Sequence, residues 1–383
     1  MSGRTTVSHN EDASSGDFGA VCGWPRRGCA AAARQRRRAS ATGRLARVEP
    51  SPEVSPPAPI VAVVGVGVTG ARVATNLAKV NGMRVAVVDQ RHDAAAEAAR
   101  SSRGAAIDLD HAQFADVAVL ALPAPHATLA RRFLSNGVAV VSMSDDVDDV
   151  RDLLALSDLA RDNDITLVIG AAMAPGLSGL LARLLADQLD TVDEIHIALH
   201  GTGGPACARQ HHRALGGTSI GLHDGEWIMR PGGAGRELCW FPEPVNAYDC
   251  YRAEMPDPIL LHSVFGDVER MTARMSATRR DRFTSRLPML RPPHREGGVG
   301  GVRVEVRGGL ANGMRETLIA GASVRSGVAA AAVAATMACW ASSEAGLAGA
   351  VVLGDARLPT MALLEEINAS GVPLSEFTGR ARS

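Results

Sequence analysis

A glycine-rich turn between a buried strand and a helix constrains the fold of this chain more than any other feature. Residues 65–70 read Gly-Val-Gly-Val-Thr-Gly and follow the apolar run Ile-Val-Ala-Val-Val at 60–64. Residues 71–80 favour a helix, and a second apolar run then leads to Asp89. A continuous β-branched run is typical of a strand buried on both faces, so this segment predicts a βαβ unit in a parallel sheet.

Each glycine of this turn has a separate physical role. Gly65 permits the tight turn, Gly67 lets the backbone approach a pyrophosphate, and Gly70 lets helix and strand pack closely. Val68 and Thr69 lie in the turn at the mouth of the helix, whose free N–H groups and positive dipole end attract phosphate, and both are candidate cofactor contacts. The pattern predicts dinucleotide binding. The alternative is a turn that keeps only a structural role.

The acidic residue after the second strand bears on the choice of cofactor. Asp89 lies about 20 residues after Gly70, where a carboxylate accepts hydrogen bonds from ribose hydroxyls. It would repel the 2′-phosphate of NADP, whereas Arg91 could pair with that phosphate. Lys79 is the only lysine among 40 basic residues, so arginine is abundant for compositional reasons and Arg91 carries less weight. We expect NAD or NADP, with NAD favoured.

Further candidate cofactor contacts lie where later strands end. Ala121, Leu122 and Pro123 close the strand predicted at 116–122, and their backbone could contact the ribose or the nicotinamide, although two nearby prolines also make an ordinary turn. The next strand ends with three polar residues that are ambiguous in the same way: Ser142, Ser144 and Asp145.

Strands and helices alternate up to about residue 176, and the pattern then changes. The alternation predicts a Rossmann fold with a doubly wound parallel sheet. Polar and apolar residues alternate at 194–200, and two strand-like runs flank Asn312-Gly313, which indicates a second α/β domain with a mixed, largely antiparallel sheet. Helices after Arg325 should return to the Rossmann domain. The expected segments are 1–58 disordered, 59–176 Rossmann, 177–325 substrate and dimerisation domain, and 326–383 C-terminal helices.

The N-terminal segment 1–58 is rich in Ser, Gly, Ala, Arg and Pro and lacks hydrophobic periodicity, so we expect it to be disordered. It would be a flexible tail, a basic arm or targeting segment, or the product of a start codon assigned too far upstream.

Composition excludes several classes of partner. The chain has 383 residues, 46% of them hydrophobic, and a net charge of -1, so neither a nucleic acid nor a membrane surface is expected to bind. The apolar stretch 326–343 is mostly alanine and predicts a buried helix rather than a membrane span. Six cysteines without a Cys-x-x-Cys pair indicate reduced thiols, and with no secretory signal we expect a cytoplasmic protein.

A second turn offers a candidate substrate contact. Residues 170–178 read Gly-Ala-Ala-Met-Ala-Pro-Gly-Leu-Ser and open a predicted helix. The N–H groups after Pro175, at Gly176 and Ser178, could hold a carboxylate or the nicotinamide amide. The alternative is that Pro175 only initiates the helix.

Several motifs in order resemble the saccharopine dehydrogenase-like oxidoreductases. They are the Gly65–Gly70 turn, Ala174-Pro175-Gly176-Leu177-Ser178, the Gly225-Glu226-Trp227 hairpin leading to Phe241-Pro242, and Gly371-Val372-Pro373, and they span roughly residues 60–378. The resemblance implies an interrupted Rossmann domain and hydride exchange between a nicotinamide and a small amino-acid-like amine or imine. No residue match identifies an acid or base, so saccharopine itself is not implied.

Histidines between 196 and 223 are the candidates for proton transfer. His200 ends its strand beside a glycine loop and is the best placed of them, and Arg209 could bind a substrate carboxylate, although His200 could equally be solvated on a polar strand face. Cys207 and His211 are four residues apart, but zinc needs three or four ligands and no third is evident. We therefore expect no metal site.

Two alternatives to an amine or imine oxidoreductase stay open. A carbonyl dehydrogenase built like homoserine dehydrogenase would need a lysine near the hydride acceptor, and Lys79 on the first Rossmann helix cannot easily serve. A catalytically silent dinucleotide sensor or scaffold would explain the lack of identifiable catalytic residues. The partner is expected to be a small molecule, and the protein could form a homodimer through the second sheet.

Overall fold

The computed structural model describes residues 58–289 and 292–377, so the predicted disorder of 1–58 falls almost entirely outside the described chain. Two β-sheets organise these residues. Both the parallel sheet and the mixed sheet that the sequence predicts are present, which confirms the fold class.

The first sheet is wholly parallel, with the strand order β15-β6-β5-β4-β1-β2-β3. Six of its strands follow the Rossmann order. Its strands are β1 (Ile60–Val64), β2 (Arg84–Val88), β3 (Ala105–Ala106), β4 (Val117–Leu120), β5 (Ala139–Ser142), β6 (Thr166–Ile169) and β15 (Gly349–Val352).

Helices cover both faces of this sheet, as parallel crossovers require. Val61 and Val63 of β1 pack in the core cluster that contains α1 and α10, whereas Ala62 and Val64 pack in the cluster that contains α3 and α4. The helices of this part are α1 (Val68–Leu77), α2 (His92–Ser101), α3 (Ala127–Ser135), α4 (Val147–Leu154), α5 (Ser157–Asp162), α10 (Ser326–Ala341) and α11 (Thr360–Ala369).

Helix α10 is buried along nearly its whole length, as predicted for the alanine-rich stretch, and it packs on α1. Among the described residues, no helix has the length and apolar character needed to cross a membrane.

The C-terminal segment is not purely helical, which corrects the prediction for 326–383. β15 pairs with β6 in the first sheet, and a short strand, β16 (Leu374–Glu376), pairs with β14 (Arg315–Arg325) in the second. Runs of three or four residues carry too little periodicity to be recognised alone, and pairing with an existing sheet edge decides their conformation.

The second sheet has nine strands and is antiparallel except where β12 pairs with β7. The remaining strands are β7 (Thr191–His200), β8 (Thr218–His223), β9 (Glu226–Pro231), β10 (Glu237–Trp240), β11 (Ala247–Arg252), β12 (Arg270–Ser276) and β13 (Val299–Gly309), and the helices are α6 (Leu177–Ala186), α7 (Pro205–Gly216), α8 (Asp257–His262) and α9 (Arg279–Thr284). β9 pairs with β8 and β10 pairs with β11, so β9 and β10 belong to different hairpins although they are consecutive in the chain.

Strand β7 shows the predicted alternation. Ile195, Ile197 and Leu199 are buried in the core that also contains the leucines of α6. His196 and Glu194 lie on the opposite face, where they hydrogen-bond each other.

Candidate functional site

The glycine turn after β1 is built for close backbone approach. Gly65 has a φ of +92°, and a Cβ at this position would lie 2.9 Å from the Ala121 carbonyl oxygen and from the Leu122 amide nitrogen. A Cβ at Gly70 would collide with the Gly65 carbonyl oxygen. The structure therefore brings the turn together with the loop after β4, and only glycine satisfies both positions.

Gly67 differs from its two neighbours because it faces open space. A Cβ at Gly67 would have no heavy atom within 4 Å, and the residue is exposed. Ala71 N–H donates to the Gly67 carbonyl, so the first turn of α1 begins here and the N–H groups of Val68 and Thr69 precede the helical ladder. The space in front of Gly67 fits a phosphate group bound at a helix N-terminus.

Asp89 lies beside this turn at the end of β2. One carboxylate oxygen accepts from the Val66 N–H at 2.9 Å, and the other accepts from the Arg91 N–H at 2.9 Å and from Arg91 Nε at 3.1 Å. Burial acts to raise the pKa of Asp89, but the bonds from Arg91 and Val66 outweigh it and hold the pKa below its usual value. Asp89 is therefore an ionised acceptor whose charge is shared with Arg91.

Buried polar residues support the loop after β4. His126 Nε2 lies 2.8 Å from the Leu122 carbonyl oxygen, so this nitrogen carries the proton and Nδ1 accepts from the Ser142 hydroxyl at 2.9 Å. Asp149 accepts from the backbone N–H groups of His126 and Ala127, at 2.8 and 3.0 Å. Burial lowers the pKa of His126, which keeps the ring neutral. The network fixes the Leu122 carbonyl at the carboxyl edge of the sheet.

Helix α7 crosses this edge from the second sheet. A Cβ at Gly204, just before the helix, would lie 3.6 Å from Val68 Cβ, and a Cβ at Gly203 would lie 3.7 Å from the Thr69 hydroxyl oxygen. Further along α7, Gln210 donates to Asp146 at 3.2 Å. The residues just before α7 therefore lie near the N-terminus of α1, and α7 itself contacts the loop after β5.

Three chemically reactive side chains lie close together between α7 and the loop after β5. Cys207 Sγ lies 3.5 Å from His211 Nε2, and Asp145 Oδ2 lies 3.8 Å from the same nitrogen. Burial raises the pKa of Asp145 and lowers the pKa of His211. Burial also raises the pKa of the Cys207 thiol to about 12. In the absence of a ligand the three groups thus favour their neutral forms.

The turn at 170–178 is largely buried. Pro175, Gly176 and Ser178 are buried, and the N–H groups of Leu177 and Ser178 donate to the Ala172 and Met173 carbonyls at 2.9 and 3.1 Å. The Ser178 amide, one of the two expected to hold a carboxylate, is therefore already bonded within the turn. This geometry fits the alternative that the turn initiates α6.

His200 and Arg209 are also placed differently from the expected arrangement. His200 Nδ1 lies 2.8 Å from the Ser276 hydroxyl oxygen, and the ring stacks on Tyr248 at a centroid distance of 4.0 Å. These contacts lie on the face of the second sheet opposite α6. Arg209 is exposed, on the side of α7 away from Cys207 and His211.

The structure thus groups the predicted cofactor residues but separates the predicted substrate residues. The loop at 121–123, the glycine turn and Asp89 form one continuous site, whereas His200, Arg209 and Ser178 lie at three other places. Sequence reasoning missed the supporting pair His126 and Asp149 because nothing in their spacing links them.

Comparison with solved structures shows what this arrangement is similar to. Apo saccharopine dehydrogenase (L-Glu forming) from Saccharomyces cerevisiae matches with a TM-score of 0.62 and 13% sequence identity, covering 84% of this chain and 100% of that chain. DAP dehydrogenase from C. glutamicum matches with a TM-score of 0.45 and 15% identity (82% and 100% covered). An amine dehydrogenase from Mycobacterium smegmatis matches with a TM-score of 0.47 and 14% identity (79% and 96% covered).

No protein-family model matches the chain, and a search of curated proteins by sequence finds no match either. At 13% identity the similarity to the yeast enzyme establishes the fold. The chain has the fold of the saccharopine dehydrogenase-like NAD(P)-binding oxidoreductases, which confirms the resemblance seen in its motifs.

Proposed function

We propose that this protein is an NAD(P)-dependent oxidoreductase that transfers hydride between a nicotinamide and a small amino-acid-like amine or imine. The observation that carries the proposal is the open space at Gly67, framed by two close-packed glycines and by an ionised Asp89. A turn retained only for structure would need Gly65 and Gly70 but not a glycine in open space.

Different residues would bind different parts of the cofactor. Gly67 and the first N–H groups of α1, at Val68 and Thr69, would hold the pyrophosphate, and Asp89 would accept from the adenosine ribose. The backbone at 121–123 would line the site at the end of β4. When bound there, the nicotinamide supplies or accepts the hydride.

NAD is the proposed preference. Asp89 presents a carboxylate whose oxygens can accept from a ribose diol and would repel a 2′-phosphate. The Arg91 guanidinium is bonded to that carboxylate, at 3.1 Å through Nε, rather than free to receive a phosphate. Relative binding of NADH and NADPH tests this point directly.

The substrate class rests on the motif resemblance and on the fold that it shares with saccharopine dehydrogenase. His200, Arg209, Pro175, Gly176 and Ser178, our expected catalytic and substrate contacts, are not needed for this proposal. The region where α7 crosses the carboxyl edge of the first sheet is the place where a small substrate would bind. His211 and Asp145 line it, and Arg209 does not face them.

The two alternatives make different predictions. A homoserine dehydrogenase-like reaction would need a lysine, but Lys79 is exposed at the end of α1 remote from the glycine turn, where it bonds Asn76 Oδ1 at 3.4 Å. A silent dinucleotide sensor would bind NADH without turning over any substrate.

The experiment has two stages. Thermal unfolding with saturating NADH or NADPH first tests binding, since a ligand specific for the folded state raises the melting temperature. NAD(P)H oxidation is then screened with 2-oxo acids plus amino acids, against simple aldehydes and ketones as the carbonyl control. Oxidation that requires the amine supports the proposal, oxidation of carbonyls alone supports the first alternative, and binding without turnover supports the sensor. Absence of binding refutes all three.

We also propose a homodimer that forms through the second sheet. β9 and β10 each pair with one strand only, and they expose large apolar side chains, among them Met229, Leu238 and Trp240. Exposed apolar side chains on unpaired strand edges are a typical association surface. Light scattering of the native protein and of Trp240→Lys tests the dimer.

We also propose that the protein is cytoplasmic, which fractionation of cells tests.

A further inference from the structure

Three potential metal ligands from two distant parts of the chain converge under α7. Cys207 and His211 lie one turn apart on the same face of α7, and Asp145 follows β5. Their ligand atoms all lie within 4.8 Å of one another. The sequence offered only the first two ligands, and the tertiary fold supplies the third.

Hydrogen bonding alone does not account for this convergence. Cys207 Sγ and Asp145 Oδ2 both approach the same ring nitrogen of His211. That nitrogen can form one good hydrogen bond, either as donor or as acceptor, so it cannot satisfy both partners. A cation at the centre of the three atoms would bind all of them at once.

The distances agree with a tetrahedral ion. With a zinc–sulfur bond of about 2.3 Å and a zinc–nitrogen bond of about 2.0 Å, tetrahedral angles place sulfur and nitrogen about 3.5 Å apart. The distance from Cys207 Sγ to His211 Nε2 is 3.5 Å. The distance from Asp145 Oδ2 to Nε2, 3.8 Å, exceeds the corresponding value of about 3.3 Å by roughly half an ångström. A rotation of the Asp145 side chain would bring Oδ2 to that distance from Nε2, and no two of the three ligand atoms are more than 4.8 Å apart.

The surroundings of the histidine also suit a ligand. The Gly201 carbonyl lies close enough to the His211 ring to favour its protonated form, and an outer acceptor of this kind orients metal-binding histidines. The side chains of His211 and Asp145 are 15% and 27% exposed, so the cluster is sheltered but still reachable. Three protein ligands leave one coordination position for water or substrate.

We propose that Asp145, Cys207 and His211 form a site for a borderline-soft divalent cation, with Zn²⁺ as the preferred ion. The mixed sulfur, nitrogen and oxygen donors favour Zn²⁺ over Mg²⁺ and Ca²⁺, which prefer oxygen ligands alone. The site reverses our expectation of no metal, and it does not depend on the proposed nucleotide binding.

The test uses Co²⁺ as a spectroscopic probe for the full chain after dialysis against a chelator. We expect one ion per chain with a thiolate-to-cobalt charge-transfer band, which Zn²⁺ displaces. Cys207→Ser should abolish the band, and His211→Gln should weaken Zn²⁺ binding more than about 100-fold, because even partners outside the coordination sphere are worth about 10- to 100-fold. His212→Gln is the matched control, since His212 is adjacent on α7 but bonds the Leu287 carbonyl at 2.8 Å.

Several results would overturn the proposal: substoichiometric Co²⁺ without a charge-transfer band, a band that survives in Cys207→Ser, or equal weakening in His211→Gln and His212→Gln. A measurement on the native protein covers the case in which a variant fails to fold. Zn²⁺ should slow alkylation of Cys207, mapped by mass spectrometry, and an unchanged rate contradicts the site. NADH binding is measured separately, so failure of the metal site leaves the proposed function to be judged on its own data.

Discussion

The Ser178 hydroxyl donates a hydrogen bond of 2.6 Å to the Asp257 carboxylate, joining α6 to α8 in the protein interior. Both side chains are buried, and the second carboxylate oxygen of Asp257 has no hydrogen-bond partner among the described residues. Burial raises the pKa of Asp257 to about 6, against a partial opposing effect of the Ser178 bond. The side chain of Ser178, a residue that we expected to contact substrate through its backbone N–H, is thus bonded to a buried acid.

Asp257→Asn should remove the loss of folding stability that the native protein suffers when the buried Asp257 carboxylate ionises. Because the folded-state pKa, about 6, exceeds the ordinary value of 3.8, the folded protein binds a proton that the unfolded chain releases. The native protein therefore loses stability as pH rises from about 4 to about 6, with the loss complete above that window. Denaturant unfolding should show Asp257→Asn gaining relative to the native protein by roughly 2 kcal/mol between pH 4 and pH 7.5. A pH-independent difference would contradict the shifted pKa.

Gly67→Val should separate binding from folding. The added side chain enters open space at a residue with a φ of -66°, so unfolding without ligand should be nearly unchanged. The same side chain fills the space proposed for the pyrophosphate. The stabilisation by saturating NADH, which follows RT ln(1 + [L]/Kd), should be lost in thermal unfolding. An undiminished NADH effect would place the dinucleotide elsewhere.

Gly70→Ala, unlike Gly67→Val, should destabilise the folded protein. Replacing a helical glycine by alanine normally stabilises by about 1 kcal/mol, but here the Cβ collides with the Gly65 carbonyl oxygen. We expect a loss of about 3 kcal/mol, the upper range for overpacking. Gly67→Ala is the control in the same turn, and equal stabilities of the two variants would argue against the close approach.

Arg91→Ala should sharpen the preference for NAD. The guanidinium shares the charge of Asp89 through Nε and Nη2, at 3.1 and 3.3 Å. Its removal leaves a bare carboxylate beside the ribose, so NADPH affinity should fall about tenfold, or ~1.4 kcal/mol, while NADH affinity changes little. Calorimetric titration with both cofactors measures this ratio. A parallel loss for both would show that Arg91 contacts the part of the cofactor common to the two.

The first sheet and its cofactor turn were predictable because their signals are local. A β-branched run, a glycine turn and an acidic residue at the end of the next strand all lie within about 30 residues, the length of one βαβ unit. Continuous apolar runs report burial on all sides directly, which is why β1, β2 and the buried helix α10 agree with the prediction.

The direction of a side chain at the site was not predictable in the same way. The strand pattern correctly placed His200 at the end of β7, but only the packing of α6 on the opposite face decides that the ring contacts Ser276 and Tyr248. Likewise, the amide of Ser178 was predicted to be available from the sequence, but in the tight turn it donates to the Met173 carbonyl.

The sequence by itself determined the parallel sheet, the glycine turn and the acidic residue beside it, since each depends on contacts between near neighbours in the chain. The tertiary structure alone decided that Asp145 meets Cys207 and His211, because α7 belongs to the second half of the chain yet crosses the edge of the first sheet. It also decided that β15 extends that sheet, because a four-residue strand forms only where another strand presents unpaired backbone groups.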